Sequence, residues 1–381
     1  MERETQLQLL DRVQALLAAG HTDMVPSDSR QPVTHYTDPD RLAAETEALF
    51  RRGPLAIGHA SCVPEPGDFF IHDVLDVPIL VVRQTDGSLR AFLNVCRHRG
   101  TRLTSEPCGS NHHRFVCPYH GWTYDRDGSL LRVPDEQGFP SLCKEERGLV
   151  RLPLAERHGF LWVVSTPDAA LDIDAYLGEV GSDLAGFGLE THVRYGPRTI
   201  SKRVNWKLAM DLFFEGYHVR YTHTKSIYPL FFDNVGLYDR LGVHQRNLFP
   251  KRSIEELQGT DRDTWAFREH TNVLYCLFPN TLMLVQPDHM SVFHAYPRGV
   301  DHTDLHTYTL LPERPRTEKA TRYWHKNMEI LYNAIEEDFA AGESIQRGLR
   351  SGANESLTFG RFEQSLTWFH QSVSDALAAA V

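Results

Sequence analysis

The stretch Cys96-Arg97-His98 … Cys117-Pro118-Tyr119-His120 constrains this chain more than any other, with 18 residues between its halves. Two thiolates and two imidazoles in this order are the ligand set of a [2Fe–2S] centre in which His replaces Cys on one iron. A structural zinc is the competing occupant of Cys and His at such spacing. The surroundings favour the cluster. Gly100 and Gly121 follow the two His and permit a left-handed turn. Pro118 stiffens the second loop. Each loop follows a β-rich run, Leu89 to Val95 and Arg114 to Val116, as two hairpin tips clasping a cofactor would. Tight loops of this kind also supply backbone N–H groups toward the sulfurs.

A chain of 381 residues with 41% hydrophobic content has room for a sizeable core in one large domain or two ordinary ones. Its net charge of −10 argues against nucleic acid as a partner. No apolar run reaches the roughly 20 residues that a membrane span needs. The acidic, polar start argues against a secretory leader, so a cytoplasmic location is expected. Residues 5–18 read as a small amphipathic helix. Besides Cys96 and Cys117 there are four scattered cysteines, Cys62, Cys108, Cys143 and Cys276, expected to be free core thiols. Cys108, His112 and His113 lie between the ligand loops at a spacing that matches no cluster pattern.

An electron carrier needs something to reduce. From Asn205 the chain reads NWKLAMDLFFEGYHVRYTH, expected as one buried helix carrying His218 and His223. At i, i+5 these stand about 140° apart on a regular helix and converge only if the helix is distorted or ends between them. Two ordinary core histidines are the plain alternative. Far downstream, Leu331, Ile335 and Phe339 mark an apolar helix face, with Asp338 on its edge and Glu336 and Glu337 expected to point away. A carboxylate turned toward a core needs a partner or a metal. His218, His223 and Asp338 would form the 2-His-1-carboxylate triad that leaves positions open on Fe(II) for O₂.

With these residues in place the chain resembles the oxygenase component (α subunit) of the Rieske non-haem iron oxygenases, from about residue 40 to about residue 365. Three motifs carry the resemblance: CRHRG with CPYHGW, then NWK leading into E-G-Y-H-x4-H at Glu215–His223, then E-D-x7-Q-x-G-L at Glu337–Leu349. The resemblance implies an α+β architecture, a β-rich Rieske [2Fe–2S] domain inserted in a helix-grip catalytic domain with a curved antiparallel sheet. The expected limits are 1–40 for an N-terminal helical segment of the catalytic domain, 41–165 for the Rieske domain, and 166–381 for the mononuclear iron domain. Strand-like runs across 69–164 and 272–311, and a long helix from Glu318, agree with this reading. Many relatives carry an acid followed by Asn before the first iron His, where this chain has Asp211-Leu212.

The family further implies a homotrimer, with or without a β subunit, in which the cluster of one subunit feeds the iron of the next. It also implies a reductase or ferredoxin that draws on NAD(P)H, and a small organic substrate oxidised with O₂. The acid that bridges the two metal sites would be Glu215, three residues before His218, with Asp211 in reserve. Phe213, Phe214, Tyr217, Phe231 and Phe232 are wall residues or core. Arg97, Arg99, Arg102 and Arg114 form a basic patch around the ligand loops, there to steer an acidic electron donor or to bond within the loops. The expected reaction is hydroxylation of an aromatic compound. The alternatives are oxidation of a non-aromatic or N-/O-alkylated molecule such as a quaternary amine, or electron carriage with no catalytic iron. Iron analysis separates the last of these: an oxygenase holds three irons per chain and a carrier two. The His223→Ala variant is expected to lose turnover and keep the visible absorption of the cluster.

Overall fold

The structure is a computed structural model that describes residues 1–110 and 112–380. It divides into two compact units, one made of Met1–Glu45 with Leu177–Val381 and the other of Thr46–Tyr176. The second unit is thus inserted in the sequence of the first. Among the described residues no helix is long and apolar enough to cross a membrane.

The inserted unit is built from short antiparallel strands. A five-stranded sheet runs in the order Arg151–Leu152, Leu89–Leu93, Val77–Arg83, Phe69–Val74 and Cys108–Gly109. A three-stranded sheet of Arg114–Val116, Thr123–Asp125 and Leu130–Arg132 flanks the second cysteine loop, and a third small sheet pairs Phe160–Val163 with Leu154–Arg157 and Leu55–His59. The apolar residues between the first two sheets include Phe69, Leu80, Phe92, Phe115, Trp122 and Tyr124, and the same core encloses Cys96 and Cys117. Of the four other cysteines only Cys276 is a buried thiol; Cys62 is half-buried, while Cys108 and Cys143 are exposed, against the expectation of core thiols.

The larger unit centres on a seven-stranded antiparallel sheet. Its order is Val193–Lys202, His302–Leu311, Met290–Gly299, Thr281–Val285, Thr271–Leu277, His244–Pro250 and Leu237–Leu241. Five of its six pairings join sequence neighbours, the cheap hairpin solution for antiparallel strands. The long helix Glu318–Leu349 starts at Thr317, whose side chain accepts the N–H of Ala320 at 3.2 Å. Its C-terminal half buries Ile335, Asp338, Phe339 and Gly342. It lies along the edge strand, with the Arg198 guanidinium 4.0 Å from the centre of the Tyr332 ring.

The segment expected as one buried helix from Asn205 is instead two short ones, Trp206–Asp211 and Val219–Thr222. The first is wholly buried and pinned by polar links. Asn205 caps it by accepting the Lys207 N–H at 3.0 Å. Lys207 Nζ meets Glu45 Oε2 at 2.6 Å, and the same oxygen accepts Trp206 Nε1–H at 2.8 Å. Asp211 at its end accepts Tyr36 O–H at 2.6 Å and faces His370 Nε2 at 3.0 Å. These bonds tie the helix to an N-terminal segment and to the C-terminal helix Gln364–Ala379. Tyr221 within the second helix is exposed, as is Tyr217 just before it, so this stretch could not have continued a buried face.

The Lys207–Glu45 pair has essentially no solvent exposure on either side chain. Burial pushes the Lys207 pKa down against the pull of Glu45. Removing one partner of such a pair strands the other charge, at a cost of about 3–5 kcal/mol. Lys207→Ala is therefore expected to lower unfolding free energy by that order in chemical denaturation. Arg322→Ala, at the surface pair with Glu318, is expected to change it by less than about 1 kcal/mol. Equal losses in the two variants would refute the assignment.

Candidate metal centres and active-site pocket

The two cysteine loops of the inserted unit repeat one backbone pattern. The N–H of Cys96 donates to Thr101 O at 2.8 Å and that of Gly100 to Cys96 O at 3.0 Å. At the same offsets, Cys117 donates to Trp122 O at 2.8 Å and Gly121 to Cys117 O at 3.0 Å. Gly100 and Gly121 stand at φ +82 and +70, which is why each loop needs a glycine there. Both thiols are buried, and burial raises the pKa of Cys96. The His98 and His120 rings lie 4.6 Å apart. Their Nδ1 atoms are buried and have no hydrogen-bond partner in the protein. Two orphaned imidazole nitrogens beside two buried thiols are what a [2Fe–2S] cluster with mixed ligands would satisfy. Tyr124 supports the loop: its O–H is 3.4 Å from Cys96 Sγ and its oxygen accepts the Arg97 N–H at 2.9 Å. Trp122 stacks on His98 at 4.8 Å and 5°.

Of the residues between these loops, His112 packs on Phe69 and Phe115, and His113 accepts from Arg126. Neither they nor the exposed Cys108 join the ligand loops. Within the basic patch, Arg97 donates to Gly148 O at 3.0 Å and Arg102 pairs with Asp73 at 2.7 Å. Arg99 lies over the Tyr119 ring, and Arg99 and Arg114 are exposed.

In the larger unit His218, His223 and Asp338 converge, one ligand atom from each lying within 4.8 Å of the others. The i, i+5 spacing is resolved by the helix break. His218 precedes Val219–Thr222 and His223 follows it at φ −105, ψ 27, outside helical geometry. Asp338 Oδ1 lies 3.3 Å from His218 Nε2 and 2.8 Å from His223 Nε2. Each opposite ring nitrogen has its own carboxylate: Glu215 bonds His218 Nδ1, and Glu337 Oε2 bonds His223 Nδ1 at 2.7 Å. Glu215 also accepts the backbone N–H of His218 at 3.1 Å, and Glu337 accepts Ser226 O–H at 2.6 Å. Outer carboxylates fix the ring orientation, so both Nε2 atoms are turned toward Asp338; a metal bound there would replace the bridging protons and take both Nε2 lone pairs.

Glu337 was expected to point away. Adjacent helix positions differ by about 100°, yet the two nitrogens of one imidazole also face different ways, so consecutive acids can grip both sides of His223. The doubled acid Glu337-Asp338 was the signal for this. Asp211, the reserve bridging acid, is occupied inside the unit by Tyr36 and His370.

A pocket of about 130 Å³ opens onto the triad. Of the phenylalanines left open as wall or core, Phe213, Phe231 and Phe232 line it, joined by Phe249, Leu212 and Leu284. Phe214 instead packs in the core 5.1 Å from Phe369, and Tyr217 stands exposed over Phe362. A second recess of about 310 Å³ reaches the triad from the side of Asp211, Glu215 and Glu363.

The fold agrees with known proteins. The Rieske [2Fe-2S] domain family matches residues 53–143, and the ring hydroxylating alpha subunit (catalytic domain) family matches residues 189–379. The chain belongs to the alpha subunits of the Rieske oxygenases, which are O₂-dependent oxidoreductases; it binds a [2Fe–2S] cluster in the Rieske domain and a mononuclear iron in the catalytic domain. Rieske oxygenases take their electrons from a reductase or ferredoxin. The chain is 29% identical over 373 residues to a chloroplastic choline monooxygenase of Beta vulgaris, spanning 94% of this chain and 79% of that protein. It is 38% identical over 211 residues to a chlorobenzene dioxygenase alpha subunit of Cupriavidus sp., spanning 54% of this chain and 46% of the other. Among solved structures, a quaternary ammonium Rieske monooxygenase described for carnitine oxidation and inter-subunit electron transfer has the same fold, with TM-score 0.80 and 24% identity over 92% of this chain and 96% of that one. Carriage without catalytic iron is thereby set aside.

Burial by itself would lower the His218 pKa, but hydrogen bonds to Asp338 and Glu215 and their charges outweigh it and raise it from 6.5 to about 10. The His223 pKa is likewise raised by Asp338 and Glu337 against burial. In iron-free protein the stability contributed by charged His218 is complete below pH 6.5 and lost as pH rises toward 10. Iron takes the neutral ring, so Fe(II) binding at pH 7 is expected to release protons and to tighten as pH rises. Titration calorimetry in buffers of different ionisation enthalpy measures this. Binding with no proton release would contradict the charged triad.

Proposed function

We propose that this chain is the terminal oxygenase of a monooxygenase system acting on a small quaternary ammonium compound or another non-aromatic, N- or O-alkylated molecule. The observation that carries this reading is the extent of likeness: the choline monooxygenase aligns over 94% of the chain, the chlorobenzene dioxygenase subunit over 54%. The expectation of an aromatic ring as substrate gives way to it. The pocket supports the same reading. Phe213, Phe231, Phe232 and Phe249 line it, and a cation held over the face of such a ring would gain about 0.5–2 kcal/mol. A quaternary ammonium head has no N–H to donate, so aromatic walls suit it better than hydrogen-bond acceptors.

The residues are assigned as follows. Cys96, His98, Cys117 and His120 hold the cluster; His218, His223 and Asp338 hold the iron. The bound metals supply electrons and activate O₂. Glu215 and Glu337 keep Nδ1 of each iron ligand engaged and both Nε2 atoms turned to the metal. The phenylalanine walls keep water from the reacting carbon. Glu215 is the acid through which a neighbouring subunit's Rieske His would connect to His218, since Asp211 is taken by Tyr36 and His370. That role requires a closed oligomer, and a homotrimer is the one we assign, as the family resemblance implies. The Rieske domain is assigned to 41–165, with 1–40 and 166–381 catalytic; the compact unit Thr46–Tyr176 supports this placement.

The test is a substrate panel with O₂ uptake scored against product mass. Choline or L-carnitine is expected to give uptake matched by an oxidised or dealkylated product. Coupled ring hydroxylation of chlorobenzene, with no turnover of any ammonium compound, would overturn the reading.

A further inference from the structure

Asn272 stands out on the pocket wall. It is the second residue of the strand Thr271–Leu277, directly opposite Phe249 and two residues before Leu274, whose own partner is Leu284. Side chains alternate along a strand and match across it, so Phe249, Asn272 and Leu284 share one sheet face. All three line the pocket beside the metal triad. The other polar side chains there are committed: Glu215 to His218, and His223 and His218 to Asp338. Among the described residues Asn272 is the pocket's one hydrogen-bonding side chain with no protein partner.

An amide on an otherwise apolar wall is unfavourable when dry, and a leucine would continue the wall without that cost. We propose that Asn272 is a specificity residue whose side-chain amide hydrogen-bonds an oxygen of the substrate, so that the substrate carries a hydroxyl or carboxylate as well as its compact apolar or cationic head. The cationic head rests on the function proposed above; the oxygen rests on Asn272 alone. The residue stands on the sheet wall, while the triad comes from the helical elements, so the amide would orient the substrate rather than take part in the chemistry.

Equilibrium dialysis of the iron-loaded holoenzyme, with matched ligand pairs, tests this. The pairs are choline against ethyltrimethylammonium, γ-butyrobetaine against butyltrimethylammonium, and benzyl alcohol against toluene. Wild-type protein is expected to bind the oxygen-bearing member of at least one pair about 10-fold or more tightly, the scale of one satisfied buried hydrogen bond. Asn272→Leu is expected to bring that ratio close to one, with iron content and cluster absorption retained. If the leucine variant loses either, Asn272→Ala, which also removes the amide, reads the same ratio. Asn272→Asp separates the two oxygens: it keeps binding of a hydroxyl and repels a carboxylate. A preference confined to benzyl alcohol, without ammonium binding, would sink the quaternary ammonium reading and uphold Asn272. Equal affinities within every pair, a ratio unmoved by the substitutions, or no binding in any pair overturns the proposal.

Discussion

A single buried carboxylate organises the larger unit. Asp338 is turned inward from the long helix, where an unpaired charge would cost several kcal/mol. It is tolerated because two imidazoles face it at 2.8 and 3.3 Å, and those rings face it because each is held from behind by a second carboxylate. The result is a row of acid, imidazole, acid, imidazole, acid in which every group is satisfied. A divalent cation fits such a row because it replaces the protons that otherwise bridge the pairs.

That arrangement needs a rigid base. The short helix Trp206–Asp211 has too few turns to be stable by itself. It is held by Glu45 and Tyr36 from the N-terminal segment and by His370 from the C-terminal helix. Chain segments 334 residues apart in sequence therefore meet on the element that leads directly into Glu215 and His218. This gives a physical role to the NWK motif. Asn205 starts the helix, and Trp206 and Lys207 close on the same buried oxygen.

The two metal sites are built by different means. The cluster ligands come from two loops within 25 residues, each a copy of the same glycine-terminated turn, so local sequence carries nearly all the geometry. The iron ligands come from a helix break and from a helix more than a hundred residues later. Their geometry is a product of packing, and so is the pocket they open onto. Hence Cys96, His98, Cys117 and His120 were legible as a set, while Glu337 was misplaced and Asn272, Ser226 and Tyr124 passed unnoticed. A polar residue in a strand carries no periodic signal that tells a pocket face from a solvent face. The phenylalanines show the same limit: Phe213 and Phe214 are adjacent and equally apolar, yet one lines the pocket and the other packs against Phe369.

By itself the sequence determined the cofactor types and brought forward His218, His223 and Asp338 as candidate iron ligands, which the fold then brings together. Ligand chemistry depends on residue identity, and strand or helix periodicity on neighbours a few positions away. Only the tertiary structure decided where the helix from Asn205 ends, which acid backs which imidazole, and that Asp211 serves the scaffold. It also decided which side chains line the pocket beside the triad. Those outcomes depend on burial and on partners far away in the chain, such as Tyr36, His370 and Glu337, that a local pattern does not encode.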